Sequence, residues 1–337
     1  MKIGFFETQN WQKDLVEKAL LNKGANLFFS SQKITPLSLP SQKDFEILSI
    51  FVDSRLHKKV LDCFPNLKFI AVRATGYDNV DLKECAQRGI LVANVPSYGE
   101  NTVAEFAFGL ILNLTRKIYH AIDQIKEKSS FSLKGLSGVD LRGKTLGVVG
   151  AGRIGKEMIK IAKGFGMKVI ASDPFPDFTF QKEMGFEYVS LEELLSKADI
   201  ISLHAPLNEK TYHLINKENI KKIKKGAYLI NTARGGLVET EALVMALKKG
   251  ILAGAALDVL EEEGEIKDEL NFLTKAKAWE KTLKNIIYNH ILMDLPNVLI
   301  TPHNAFNSKE ALERILNTTI LNIRGFLEGK PINLVKS

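Results

Sequence analysis

Short runs of consecutive apolar residues alternate with stretches in which apolar positions recur every three or four residues, and this continues along almost the whole chain. A run that is apolar on successive residues suits a strand buried on both faces of a parallel sheet. The three-to-four spacing marks helices that cover such a sheet. Strands are predicted over residues 2–7, 26–30, 47–52, 68–72 and 90–94. A second series opens at Thr145 (TLGVVG), Lys168 (KVIASD), Ala198 (ADIISLHAP), Ala227 (AYLINTA), Ala253 (AGAALDV) and Asn297 (NVLITPH). Strands and helices in alternation give an α/β protein with doubly wound parallel sheets.

Between the two series, residues 101–128 read as one long helix, a connector preceded by Pro96 and Gly99. Residues 308–327 form another amphipathic helix, and the tail after it is too short to fold alone. The economical arrangement is that the chain leaves a first domain near residue 100 and returns after about residue 303. The expected division is therefore 1–100 with 304–337, and 101–303. The charged, weakly periodic stretch 264–294 reads as a surface insertion with partial helix.

A length of 337 residues fits two such domains, and 45% apolar with 25% charged residues is an ordinary globular composition. The net charge of +7 is spread along the chain except for Lys221, Lys222, Lys224 and Lys225. That knot is expected to close a helix before Gly226, where cations complement the helix dipole, so no nucleic-acid partner is inferred. Cys63 and Cys85 lack C-x-x-C spacing, which argues against both a zinc site and a disulfide framework. The longest apolar stretch, around residues 106–114, is far short of a membrane span, so a cytoplasmic protein without membrane contact is expected.

Candidate chemistry begins at Gly150-Ala-Gly152-Arg153-Ile154-Gly155, between a predicted strand and a predicted helix. The first glycine permits the tight turn, the second lets backbone amides approach a pyrophosphate, and the third allows close helix-to-strand packing. Asp173 ends the next strand, 18 residues beyond Gly155, where a carboxylate accepts hydrogen bonds from ribose hydroxyls. That favours NAD over NADP, whose 2′-phosphate would meet like charge. Asp before Pro174 also suits a simple turn.

Polar residues at the carboxyl ends of strands are the next candidates, since ligands of open α/β sheets bind there. Arg234, ahead of Gly235 and Gly236, can hold a carboxylate through two hydrogen bonds, or can form an interdomain salt bridge. His303 ends NVLITPH and suits proton donation to a developing alkoxide, or a capped structural role. A carboxylate beside an imidazole orients it and favours its protonated form. Glu263 is available for this, although Glu261, Glu262 and Glu263 together read as a solvated acidic run.

Seven segments then stand in a telling order: 73–81 (RATGYDNVD), 95–105 (VPSYGENTVAE), 141–155 with Asp173, His204-Ala-Pro206, 231–236 (NTARGG), 257–263, and 301–306 (TPHNAF). Over nearly its entire length the chain resembles the D-isomer-specific 2-hydroxyacid dehydrogenases, more closely their D-lactate dehydrogenase branch. The resemblance implies a Rossmann NAD-binding domain, a flavodoxin-like substrate domain, and a cleft between them. It implies NADH-dependent reduction of pyruvate or a similar short 2-keto acid. In that scheme Arg234 binds the substrate carboxylate and carbonyl, His303 is the acid/base, and Glu263, five residues after Asp258, is its partner.

By the same resemblance, backbone amides around Ala74, Thr75 and Gly76 help hold the substrate, while Tyr98 and Phe306 line its pocket. Arg153 and Ile154 offer amides to the pyrophosphate. Ala205, Pro206 and Thr211 meet the adenosine and ribose side, and Thr232 and Asp258 lie near the nicotinamide. Thr211 departs from the Asn of some D-lactate dehydrogenases. A homodimer joined through the NAD-binding domains is also implied. Two rivals keep the same fold: a formate or phosphite dehydrogenase, against which Glu263 counts because formate enzymes carry Gln beside the histidine, and an NAD-sensing corepressor with little catalysis.

Overall fold

Two all-parallel sheets organise the chain in the computed structural model, which describes residues 1–21, 24–261 and 279–336. Each sheet belongs to its own unit, one made from 1–99 with 308–337 and the other from 100–307.

The first unit contains β1 (Lys2–Phe5), α1 (Asn10–Leu20), β2 (Asn26–Phe29), β3 (Ile47–Ile50), α2 (Lys58–Leu61), β4 (Phe69–Val72), α3 (Leu82–Gln87) and β5 (Leu91–Ala93). Its strands lie in the order β2-β1-β3-β4-β5. Alternate side chains of one strand enter two different cores. Ile3, Phe5, Ile47 and Phe69 pack on one face, and Leu48, Ile50, Ile70 and Val72 on the other. Burial on both faces is why the inner strands are apolar at nearly every position, Ser49 being the exception in β3 and β4.

The second unit begins with α4 (Glu100–Arg116) and α5 (Ile118–Lys128), followed by β6 (Thr145–Val149), α6 (Arg153–Gly164), β7 (Lys168–Ser172), α7 (Phe178–Met184), β8 (Glu187–Tyr188) and α8 (Leu191–Lys197). It continues with β9 (Ile200–Leu203), β10 (Ala227–Asn231), α9 (Thr240–Lys248), β11 (Leu252–Leu257), α10 (Trp279–Asp294) and β12 (Val298–Ile300). The strand order β12-β11-β10-β9-β6-β7-β8 reverses direction at β6. Connections to either side of β6 diverge there, which opens a crevice at its carboxyl end. The last helix, α11 (Lys309–Leu327), returns to the first unit, where Leu334 bridges Ala93 and Asn322 Nδ2 donates to Asn94 O at 2.8 Å.

Three expectations need correction. The helix predicted over 101–128 is two helices, because Lys117 takes a left-handed conformation with φ 53°. The lysine knot closes no α-helix: only the 3₁₀ turn Ile220–Lys222 forms, and Lys222 and Lys224 pair with Glu192 and Asp199 at 2.9 and 2.8 Å. The acidic run is not uniformly solvated, since Glu261 is only 7% exposed. Strand β8 was not predicted. No helix among the described residues is long and apolar enough to cross a membrane.

Candidate active site

The glycine-rich turn leaves β6 at the sheet's reversal point. Gly150 has φ 92°, and a Cβ there would lie 2.7 Å from Ala205 N and 2.8 Å from His204 C. At Gly155 a Cβ would come within 2.1 Å of Gly150 O, so only glycine lets α6 begin this close to the strand. Gly152, the N-cap of α6, has open space in that direction. The first turn of a helix, here led by Arg153, Ile154 and Gly155, has amides without intrahelical acceptors, a setting that attracts phosphate.

Asp173, just past β7, shapes this turn as well as facing it. Its Oδ2 accepts from Ala151 N and its Oδ1 from Phe175 N, both at 2.7 Å. Ala205 and Pro206 follow β9. Thr211 lies on the next loop, its hydroxyl donating to Pro206 O at 2.6 Å and accepting from Asn208 N at 2.8 Å. His204 is half-buried with its Nε2 2.8 Å from the Ser202 hydroxyl, and desolvation of the ring pushes its pKa down to about 3. Thr232, beyond β10, has a buried hydroxyl without a hydrogen-bond partner. That orphaned hydroxyl and the room above Gly152 fit a bound dinucleotide.

Arg234, Asp258 and His303 follow the carboxyl ends of three adjacent strands, β10, β11 and β12. Asn231 holds the Arg234 turn, its Nδ2 donating to Arg234 O at 2.9 Å and its Oδ1 accepting from Ala233 N at 3.1 Å. Arg234 Nη1 donates to Ala233 O at 2.8 Å. His303 has φ 53°, a left-handed conformation that a non-glycine residue keeps only where its surroundings fix it. Here its amide donates to Asp258 O and Thr301 O, both at 2.9 Å. The Asp258 carboxylate takes the Thr301 hydroxyl and the amides of Asn304 and Ala305, the last two at 2.8 Å. Asp258 is thus a buried clamp on the loop that carries His303, and burial pushes its carboxyl upward against the pull of those donors. Phe306 meets the His303 ring edge-on at 6.1 Å between centroids.

Glu263 lies outside the described residues. Ala74, Thr75, Gly76 and Tyr98 belong to the other unit. There the turn after β4 is tied down by Thr75 Oγ1 donating to Val95 O at 2.8 Å and Asn94 Nδ2 donating to Thr75 O at 2.7 Å. Sequence reasoning missed Asn231, which holds the Arg234 turn, and the burial of Glu261. The asparagine had a usable signal, an Asx-type turn into Ala-Arg-Gly-Gly. No group of three or more His, Cys, Asp or Glu that could hold a metal occurs among the described residues.

A family model described as the NAD binding domain of D-isomer specific 2-hydroxyacid dehydrogenases matches residues 108–305. A 2-hydroxyacid dehydrogenase homolog of Zymomonas mobilis is 39% identical over 338 residues, covering 98% of each chain. An aromatic 2-oxoacid reductase of Clostridium sporogenes is 43% identical over 272 residues, covering 80% of this chain and 78% of its own. The crystal structure of D-lactate dehydrogenase from Aquifex aeolicus, complexed with NAD and lactic acid, superposes with a TM-score of 0.85 at 34% identity, covering 97% and 96% of the two chains.

Proposed function

The chain belongs to the D-isomer-specific 2-hydroxyacid dehydrogenases, a family of NAD-dependent oxidoreductases, and from that premise we propose that it reduces a short 2-oxo acid, pyruvate first among them, to the D-hydroxy acid. The observation that carries this reading is the run of Arg234, Asp258 and His303 beyond three neighbouring strands, in the same sheet as the glycine turn.

Bound NADH supplies the hydride. The remaining work falls to the chain. Arg234 holds the substrate carboxylate and polarises the carbonyl, joined by the amides of Ala74, Thr75 and Gly76, with Tyr98 and Phe306 as apolar lining. His303 gives its proton to the carbonyl oxygen as charge develops there, and Glu263 steadies that imidazole. Asp258 keeps the His303 loop in place through Thr301, Asn304 and Ala305. Fixing donor, acceptor and acid in one geometry accounts for about 7–11 kcal/mol of barrier lowering, and the positioned acid for a further ~10²- to 10⁴-fold.

On the coenzyme, the amides of Arg153 and Ile154 meet the pyrophosphate, Asp173 the adenosine ribose, Ala205, Pro206 and Thr211 the adenosine side, and Thr232 the nicotinamide side. A homodimer through the second unit is part of the proposal. Helix α5 buries none of its residues and exposes Ile118, Ile122 and Ile125, and beyond it Phe131 and Leu133 are each 84% exposed. Apolar surface of that kind marks an interaction face. The free thiols Cys63 and Cys85 suit a cytoplasmic setting.

The similarity to an aromatic 2-oxoacid reductase favours one second reading, in which the substrate carries an aromatic side chain. Steady-state oxidation of NADH with pyruvate, 2-oxobutyrate, 2-oxoisocaproate and phenylpyruvate decides between them. The highest kcat/KM for pyruvate supports the first reading, and the highest for phenylpyruvate supports the second. Coenzyme binding without turnover of any of the four overturns both.

A further inference from the structure

Glu261 is a buried carboxylate that the proposed chemistry does not use, and its contacts converge on one turn. Its Oε1 accepts from His213 Nε2 at 2.8 Å and from Tyr212 Oη at 3.1 Å. Its Oε2 accepts from Thr240 Oγ1 at 2.7 Å, at the first residue of α9. Burial pushes this carboxyl up, but the hydrogen bonds from His213 and Thr240 prevail and hold it below its ordinary value. The group is therefore an anion, held by donors from segments 21 and 48 residues away in sequence.

Those segments are the ones that fix the Arg234 turn. The amide of His213 donates to Gly236 O at 2.9 Å, and that of Ile215 donates to Leu237 O at 3.0 Å. Thr240 begins the helix into which the turn runs. On its remaining side the turn rests on the backbone of Glu261 itself: a Cβ on Gly235 would lie 2.1 Å from Leu260 C and 2.3 Å from Glu261 N. Asn289 of α10 donates to Glu261 O at 2.7 Å and secures that peptide from behind. Segment 212–215, the start of α9 and the peptide at 260–261 thus surround the turn, and a single carboxylate joins the first two to the third.

We propose that Glu261 is a positioning residue that locks the Arg234 turn in place by tying it to His213, Tyr212 and Thr240. The proposal rests on the reading that Arg234 anchors the substrate carboxylate. A loosened turn displaces the guanidinium and weakens its grip on the substrate more than on the coenzyme, whose glycine turn and Asp173 follow other strands and leave only Thr211 and Thr232 beside the loosened segments.

Steady-state kinetics and NADH fluorescence titration of Glu261→Gln, His213→Asn, their combination and Arg234→Lys, all in the full-length protein, test this. In each of the first two variants KM for the oxo acid is expected to rise about tenfold or more, as a misplaced binding group does, with kcat and NADH affinity both falling less. The combined variant is expected to be no worse than the more affected single one, because both remove the same tie. A lowered melting temperature with unchanged KM, or effects that add, would overturn the proposal. If Glu261→Gln does not fold, an unchanged KM in His213→Asn overturns it equally. An unaffected Arg234→Lys enzyme sinks the substrate reading itself, whereas a crippled Arg234→Lys beside a normal Glu261→Gln sinks only the positioning role.

Discussion

At the residue scale two side chains are assigned separable duties. In the proposed mechanism His303 serves the proton and not the dinucleotide, so His303→Gln is expected to lower kcat by ~10²-fold or more while NADH affinity, read by fluorescence titration, stays near wild type. Turnover close to wild type in that variant removes the residue from the mechanism. Asp173 has two roles that must be separated, since its carboxylate also receives the amides of Ala151 and Phe175. Truncation to alanine would loosen the glycine turn as well as remove the charge. Asp173→Asn keeps one acceptor oxygen, gives up one of the two amide contacts, and removes the charge that repels a 2′-phosphate. Its ratio of kcat/KM for NADH over NADPH is expected to fall about tenfold, and an unchanged ratio would place coenzyme choice elsewhere.

At the element scale, α9 and α10 are joined by a charge cluster. Glu241 accepts from Lys284 at 2.8 Å and from Tyr288 at 3.1 Å, and pairs with Lys217 at 2.8 Å. The hydrogen bonds from Lys217 and Lys284 hold its carboxyl down to about 2, against an ordinary value of 4.5. A carboxyl depressed on folding contributes stability that is complete above its unfolded value and is lost as pH falls toward the folded one. The melting temperature of Glu241→Gln is therefore expected to lie below wild type near pH 7, with the gap narrowing as pH falls from about 4.5 toward 2. A gap that ignores pH over that range counts against the cluster. Elements were also where pattern reading served best. Strands β3 and β4 are legible because burial on both faces favours apolar residues along the strand, Ser49 being the one polar position in the two. Strand β8 is only Glu187–Tyr188, too short to carry a pattern. The break at Lys117 carries neither Gly nor Pro, so nothing local announces it.

For the whole molecule, the prediction concerns assembly. Phe131 and Leu133 project from the second unit with most of their surface in water, a cost that association would offset. Phe131→Asp with Leu133→Asp is expected to shift the protein from dimer to monomer in sedimentation velocity. An unchanged species distribution places the interface elsewhere, and a monomeric wild type removes it. By itself the sequence determined the α/β class, every strand of the two sheets except the two-residue β8, and the glycine turn, because these depend on local pattern: apolar runs, helical spacing, and a residue without Cβ where backbone must meet backbone. Tertiary structure alone decided that Glu261 lies inside rather than in solvent, that Asp258 holds the His303 loop, and that Gly235 rests on the Leu260–Glu261 peptide. Each of these is a pairing across 21 to 49 residues of chain. A polar side chain in a sequence looks the same whether water or a distant partner satisfies it, and only folding settles which.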